Sequence, residues 1–118
     1  MDEELRLRLL RLLTESPELS QRDLAQRLGL SLGKTNYCLR ALIDKGWVKV
    51  NNFRNSNNKL AYAYVLTPNG LGAKASATTA FLRRKQEEFA LLGREIEELR
   101  EEISGQQGDS PAQQAVRS

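Results

Sequence analysis

The 118-residue sequence has no histidine, one cysteine, one tryptophan and one methionine. Without histidine it lacks the commonest general base and metal ligand. A lone Cys38 can form neither an internal disulfide nor a CxxC-type zinc site, which excludes a disulfide scaffold and a structural zinc. The longest unbroken apolar run, Leu60 to Leu66, falls far short of the ~20 residues a membrane-spanning helix needs. The opening Met1-Asp2-Glu3-Glu4 is acidic and leads into a leucine–arginine alternation, unlike a signal peptide. There is no glycine-rich phosphate loop, and the carboxylates fall mostly at solvated positions near the C-terminal end, so no catalytic constellation is visible. The expectation is a cytoplasmic, reduced protein that is not an enzyme, with no cofactor, no metal and no membrane partner.

What is present is the make-up of one ordinary domain, 40% hydrophobic and 28% charged. Eighteen Lys and Arg against 15 Asp and Glu leave a net charge of +3. Composition divides the chain into residues 1–66, with spaced apolar positions and turn signals, residues 67–103, which read as one long helix, and a Gln-, Ser- and Gly-rich tail, 104–118. The tail has almost nothing to bury and is expected to be disordered.

Six leucines crowd the nine positions from Leu5 to Leu13. Leu5, Leu9, Leu12 and Leu13 share one helical face, while Leu7 and Leu10 form a second stripe. That second stripe suits packing on another helix of the same chain or on a second subunit. Asp2, Glu3 and Glu4 complement the positive end of the helix dipole, and Ser16-Pro17 ends the helix. Ser20 with Asp23 then makes a capping signature for a short helix that Gly29 stops. Ser31 is placed to cap a third helix running to Lys45, with Gly46 as its terminating glycine. Its inward face is Thr35, Cys38, Leu39 and Leu42. Two helices split by a short glycine-containing turn are the arrangement of a helix-turn-helix.

After Gly46 the period becomes two. Trp47, Val48, Val50 and Phe53 make one strand, and Tyr62, Tyr64 and Leu66, alternating with Ala61, Ala63 and Val65, make another. Between them Arg54-Asn55-Ser56-Asn57-Asn58-Lys59 forms a basic, turn-prone tip. Thr67-Pro68 opens the last helix with a cap residue and a proline at its first position. The fold class expected is therefore mainly α with a small β-hairpin: a winged helix-turn-helix over 1–66, followed by a long C-terminal coiled-coil helix.

Three segments in order, Leu24-Ala25-Gln26-Arg27-Leu28-Gly29-Leu30-Ser31, Leu39-Arg40-Ala41-Leu42-Ile43-Asp44-Lys45-Gly46-Trp47-Val48 and Leu66-Thr67-Pro68-Asn69-Gly70, resemble the MarR family of winged helix-turn-helix regulators. The short length and long last helix resemble in particular its exopolysaccharide-associated branch. The resemblance implies a DNA-binding transcriptional regulator, with exopolysaccharide genes as targets. Members of the family commonly carry an Asp-x-Arg or Asp-Arg pair near the wing tip. Asn58-Lys59 stands there in this chain, which implies a wing that contacts phosphates more loosely. Full-length members often bind small effectors between the DNA lobe and a larger helical dimerisation region. This chain lacks most of that region, which argues against an effector pocket.

The residues make the same case on physical grounds. With one face of the third helix buried, Gly33, Lys34, Asn36, Tyr37 and Arg40 point outward as candidate base contacts. Lys and Arg match guanine O6/N7, Asn matches adenine, and Gly33 permits close backbone approach. Ser20, Gln21, Arg22 and Ser31 lie at helix N-termini, where they serve as caps or as phosphate ligands. On the wing, Arg54, Asn55, Asn57, Asn58 and Lys59 are the candidate backbone contacts. Residues 20–60 hold eight cations against Asp23 and Asp44, a net +6 in a chain of only +3. Two other readings use the same fold: a DNA-organising protein without sequence preference, and a winged-helix protein-interaction module.

The last helix would extend ~54 Å from Pro68 to Ile103, more than so small a domain can cover. Leu82, Phe89, Leu92, Ile96, Leu99 and Ile103 fit the a and d positions of a heptad seam, the signature of a homodimer. The stretch Leu71–Leu82 is expected to pack on the first helix of its own chain. Glu95 and Arg100 occupy g and e positions, a match that favours a parallel pair. Cys38, on an inward face, reads as a small core residue rather than a redox sensor, and Trp47 as core.

Overall fold

The computed structural model describes residues 1–54, 56–58 and 60–109, with the backbone alone described for 107–109. The order of elements is α1 (Glu3–Glu15), α2 (Gln21–Leu28), α3 (Leu32–Asp44), β1 (Val48–Arg54), β2 (Leu60–Leu66) and α4 (Pro68–Asp109). The chain is mostly helical, with an antiparallel two-stranded hairpin after the third helix and a long C-terminal helix: a winged helix-turn-helix. Among the described residues no helix is long and apolar enough to cross a membrane.

Helix boundaries are set by side chains that satisfy the otherwise unpaired end groups. Asp2 Oδ1 accepts from the Leu5 amide at 2.6 Å, Ser20 Oγ from Asp23 at 3.1 Å and Ser31 Oγ from Lys34 at 3.1 Å. Gly29 ends α2 in the left-handed region (φ 70°), where a glycine carries no Cβ penalty.

The chain divides into two compact units, Met1–Phe81 and Leu82–Ser118, the division falling inside α4. In the first unit the core joins Leu9, Leu10 and Leu13 of α1, Leu24 and Leu28 of α2, and Cys38, Leu39 and Leu42 of α3 with Val48 and Tyr64 from the hairpin. Both apolar stripes of α1 are therefore used within the chain. Leu7 and Leu10 are buried, and α1 packs on β2 as well as on α2. Thr35 is the one buried polar side chain among the described residues, and its hydroxyl donates to the Ser31 carbonyl at 2.9 Å. That bond removes the penalty of burying it.

The hairpin pairs Val48 with Leu66 and Val50 with Tyr64 through to Arg54 with Leu60. Its alternation is less regular than the sequence suggests. Ala63 and Tyr64 are adjacent, hence on opposite faces, yet both are buried. Tyr62, on the same face of the strand as Tyr64, is 54% exposed, whereas Tyr64 is buried. The outer edge of β2 is held at its inner end, where the Tyr64 amide donates to the Pro17 carbonyl at 3.0 Å. Trp47 precedes β1 rather than belonging to it. It is half-buried at the core edge, with the cations of Arg6 and Lys45 5.3 and 5.2 Å from its ring centroid.

Thr67 caps α4 as its sequence promised: Oγ1 accepts from Gly70 N at 3.0 Å and donates to the Gly46 carbonyl. In the first turns of α4, Leu71 and Leu82 do not themselves face inward. Leu71 and Leu82 are more than half exposed, and Gly70, Ala73, Lys74, Ala77 and Phe81 are the buried or half-buried positions. Small residues at this spacing allow an approach that leucines would prevent.

The described part of the second unit is the rest of α4. It continues to Asp109, so Ser104–Asp109, expected in a disordered tail, are helical. Extending an existing helix adds one hydrogen bond per residue without a nucleation cost, and glutamine is a good helix former. Residues 110–118, the remainder of that expected tail, lie outside the described residues.

Candidate nucleic-acid interface

The geometry of α3 follows from its 3-and-4 spacing. Thr35, Cys38, Leu39 and Leu42 are at most 1% exposed, so one side of the helix is fixed against the core. The opposite side carries Gly33, Lys34, Tyr37 and Arg40, all exposed, with Asn36 half-buried at the edge nearest α2. Lys34 Nζ stands 5.5 Å from the Tyr37 ring centroid, which holds the cation close over an aromatic face. This face offers cationic, amide and phenolic groups of the kinds that match base edges.

Asn36 is not isolated. Its Nδ2 donates to Gln21 Oε1 at 3.1 Å, and Gln21 Nε2 in turn donates to Tyr64 Oη at 2.9 Å. Gln21 is the first residue of α2, and Tyr64 lies in β2 with its ring in the core. The chain thus ties together three elements at the point where α2 meets α3. The sequence suggested Asn36 as a base contact and Gln21 as a backbone contact, and the structure links the two directly. Tyr64 was absent from the expected site. The available signal was its buried ring, since a buried tyrosine hydroxyl normally finds a polar partner.

Ser20 and Ser31 act as caps, their hydroxyls engaged by Asp23 and Lys34 amides. Arg22 and Arg40 are exposed, and no hydrogen bond joins either to the other candidate residues among those described. On the wing, Arg54 Nη1 donates to the Asn58 carbonyl at 3.1 Å and closes the tip on itself. Asn58 adopts φ 59°, a left-handed conformation that asparagine tolerates better than most residues. Asn57 is exposed. Asn55 and Lys59, both candidate wing contacts, lie outside the described residues.

Cys38 is fully buried behind this face. Among the described residues, no group of three or more Cys, Asp or Glu side chains is arranged to hold a metal ion.

Three packed helices, a two-stranded wing and an exposed face on the third helix bearing Lys34 and Arg40 make up a winged helix-turn-helix. Residues 2–49 match the family model described as winged helix-turn-helix DNA-binding. No curated protein matches the chain in sequence. Solved structures of similar fold include proteins described as transcriptional regulators. A MarR/EmrR family transcriptional regulator from Acinetobacter sp. ADP1 is similar with a TM-score of 0.57 and 21% identity, over 85% of this chain and 75% of that one. A Staphylococcus aureus MepR–DNA complex is similar with a TM-score of 0.60 and 19% identity, over 88% and 75%. Staphylococcus aureus MarR in complex with salicylate and kanamycin gives a TM-score of 0.56 and 18% identity, over 72% of this chain. This chain spans 55% of that MarR protein's length.

Proposed function

We propose that this protein is a homodimeric, sequence-specific DNA-binding transcriptional regulator of the MarR type. One observation carries the reading: α3 has a fully buried side and an opposite exposed side bearing Lys34, Tyr37 and Arg40, with Asn36 at its margin. A helix seated in this way can enter a major groove without disturbing the core. Lys34, Asn36, Tyr37 and Arg40 contact bases, and Gly33, having no side chain, lets the backbone of α3 come close to the base edges. Arg22, the helix N-termini at Ser20 and Ser31, and wing residues Arg54 and Lys59 contact phosphates. A similarly folded MepR is found in complex with DNA, which supports DNA as the partner.

The dimer is supported by the second unit. Leu82, Phe89, Leu92, Ile96, Leu99 and Ile103 are 42–77% exposed, an apolar seam at heptad spacing that a second copy would cover. Two recognition helices about one helical turn apart then read a pseudo-palindrome. Exopolysaccharide genes as targets rest on the sequence resemblance to that branch of the family.

The test is selection from random duplexes by the purified full chain, with its mass measured in solution. The expected result is a dimer of 13.3-kDa chains enriching an inverted repeat. A monomer, or enrichment of no sequence, overturns the proposal.

A further inference from the structure

The chain Asn36–Gln21–Tyr64 serves no helix cap, and it engages one of the two N–H donors of Asn36 at the edge of the recognition face. An asparagine amide has one acceptor oxygen and two N–H donors. Swinging it by half a turn about its last torsion exchanges acceptor and donor. Unrestrained, Asn36 would present either order of groups to a base edge. Here one Nδ2 hydrogen is committed to Gln21 Oε1, so Oδ1 and the second N–H are left in a fixed order. Adenine needs just that pair in its major groove edge, an acceptor for N6–H and a donor for N7.

Gln21 is itself fixed in polarity. Its Oε1 accepts from Asn36 while its Nε2 donates to Tyr64 Oη. Tyr64 has its ring in the core and its backbone amide bonded to Pro17, so the far end of the chain is anchored. We infer that Gln21 is a positioning residue for base readout. Backed by the phenol of Tyr64, it sets the amide polarity of Asn36 and thereby the preference for an adenine at one position of each half-site. The inference rests on the DNA-binding reading above and names a residue that acts through another rather than through a phosphate contact of its own.

The experiment measures binding of the full chain to its selected operator, to the operator with each base pair changed singly, and to random duplex. Variants are Asn36→Ala, Gln21→Ala, Tyr64→Phe, Gln21→Glu and the Asn36→Ala/Gln21→Ala double. Gln21→Ala is expected to lower the operator-over-random ratio about tenfold, with the loss confined to the single base pair that Asn36→Ala also affects. The double variant is expected to be no worse than Asn36→Ala alone, because both remove one coupled contact. Tyr64→Phe keeps the ring and is expected to cost about threefold in the same ratio, leaving random-duplex affinity unchanged. Gln21→Glu retains an acceptor for Asn36 and can accept from the phenol. It is expected to keep the base preference while weakening every duplex alike through its added negative charge.

Multiplicative losses in the double variant would overturn the inference, showing two independent contacts. So would an unchanged ratio in Gln21→Ala, or a uniform loss on operator and random duplex, which would make Gln21 a phosphate ligand. Failure of the wild-type chain to bind any duplex at low salt would instead overturn the DNA-binding reading, and this inference with it.

Discussion

The carbonyl oxygen of Trp47 occupies the space where a side chain at position 70 would begin. A Cβ built on Gly70 would stand 1.9 Å from that oxygen and 2.8 Å from its carbon. The same carbonyl accepts from the Thr67 amide at 2.9 Å, so the first turn of α4 is drawn onto the end of the α3–β1 connection. A glycine in the first turn of a helix here marks close backbone approach rather than a turn.

Gly70→Ala is therefore expected to destabilise the first unit by about 2 kcal/mol, since the obstacle is backbone and cannot rotate away. Melting followed by the fluorescence of Trp47, the single tryptophan, should fall by about 10 °C. Gly72→Ala, with nothing within 4 Å of the added carbon, is the control and should gain about 0.5–1 kcal/mol from helix propensity. Equal stability of Gly70→Ala and wild type would refute the packing described.

The proposed role of α3 in readout predicts a division of labour between affinity and specificity. Combining Arg40→Ala with Asn36→Ala should abolish the preference for the selected operator, each substitution costing about 1–3 kcal/mol of discrimination. Affinity for random duplex should drop only modestly, because the phosphate contacts remain. If random and operator duplexes lose affinity equally in a titration, the two side chains contact only the backbone.

The basic excess over residues 20–60 predicts a steep response to salt. A dimer that neutralises about eight phosphates should show log K falling against log salt with a slope near −7. Fluorescence anisotropy on the selected operator between low and physiological salt measures it. A slope shallower than about −3 is incompatible with the proposed footprint.

How far the sequence reveals this architecture differs from element to element. The buried face of α3 was legible to the residue, because helix spacing, the Ser31 cap and Gly46 all agree on one rotation of that helix. The hairpin was legible in position but not in burial. Whether Tyr62 or Ala63 faces inward depends on how far the core reaches along the strands, which no local pattern encodes. The exposure of Gly33, Lys34, Tyr37 and Arg40 in the candidate site was legible from the helix spacing. The site's internal wiring was not, since Gln21 meets Asn36 fifteen positions away and Tyr64 forty-three positions away only after the helices and hairpin have closed. Within the first turns of α4 the sequence did not show that Gly70, rather than Leu71, would be the buried position.

Cys38 offers a test of the core behind the recognition face. With its side chain fully buried, it should resist alkylation in the native protein and react fully once unfolded in denaturant. DNA binding should likewise survive mild peroxide treatment. Rapid native labelling would show that α3 opens from the core and would return the thiol to consideration as an oxidant sensor.

Because Cys38 is shielded, single cysteines placed on the α4 seam can report how two copies pair. Phe89 and Ile103 occupy the same heptad position, two heptads apart, and both are exposed. In a parallel, in-register dimer each residue meets its own copy, so Phe89→Cys and Ile103→Cys should each cross-link under oxidation. An antiparallel pair can bring at most one of these positions to its own copy, because its symmetry axis crosses the seam at a single level. The Glu95–Arg100 match between chains favours the parallel form, and both variants are expected to migrate as covalent dimers without reductant. Efficient cross-linking of only one variant would establish the antiparallel alternative, and with it a different separation of the two recognition helices on DNA.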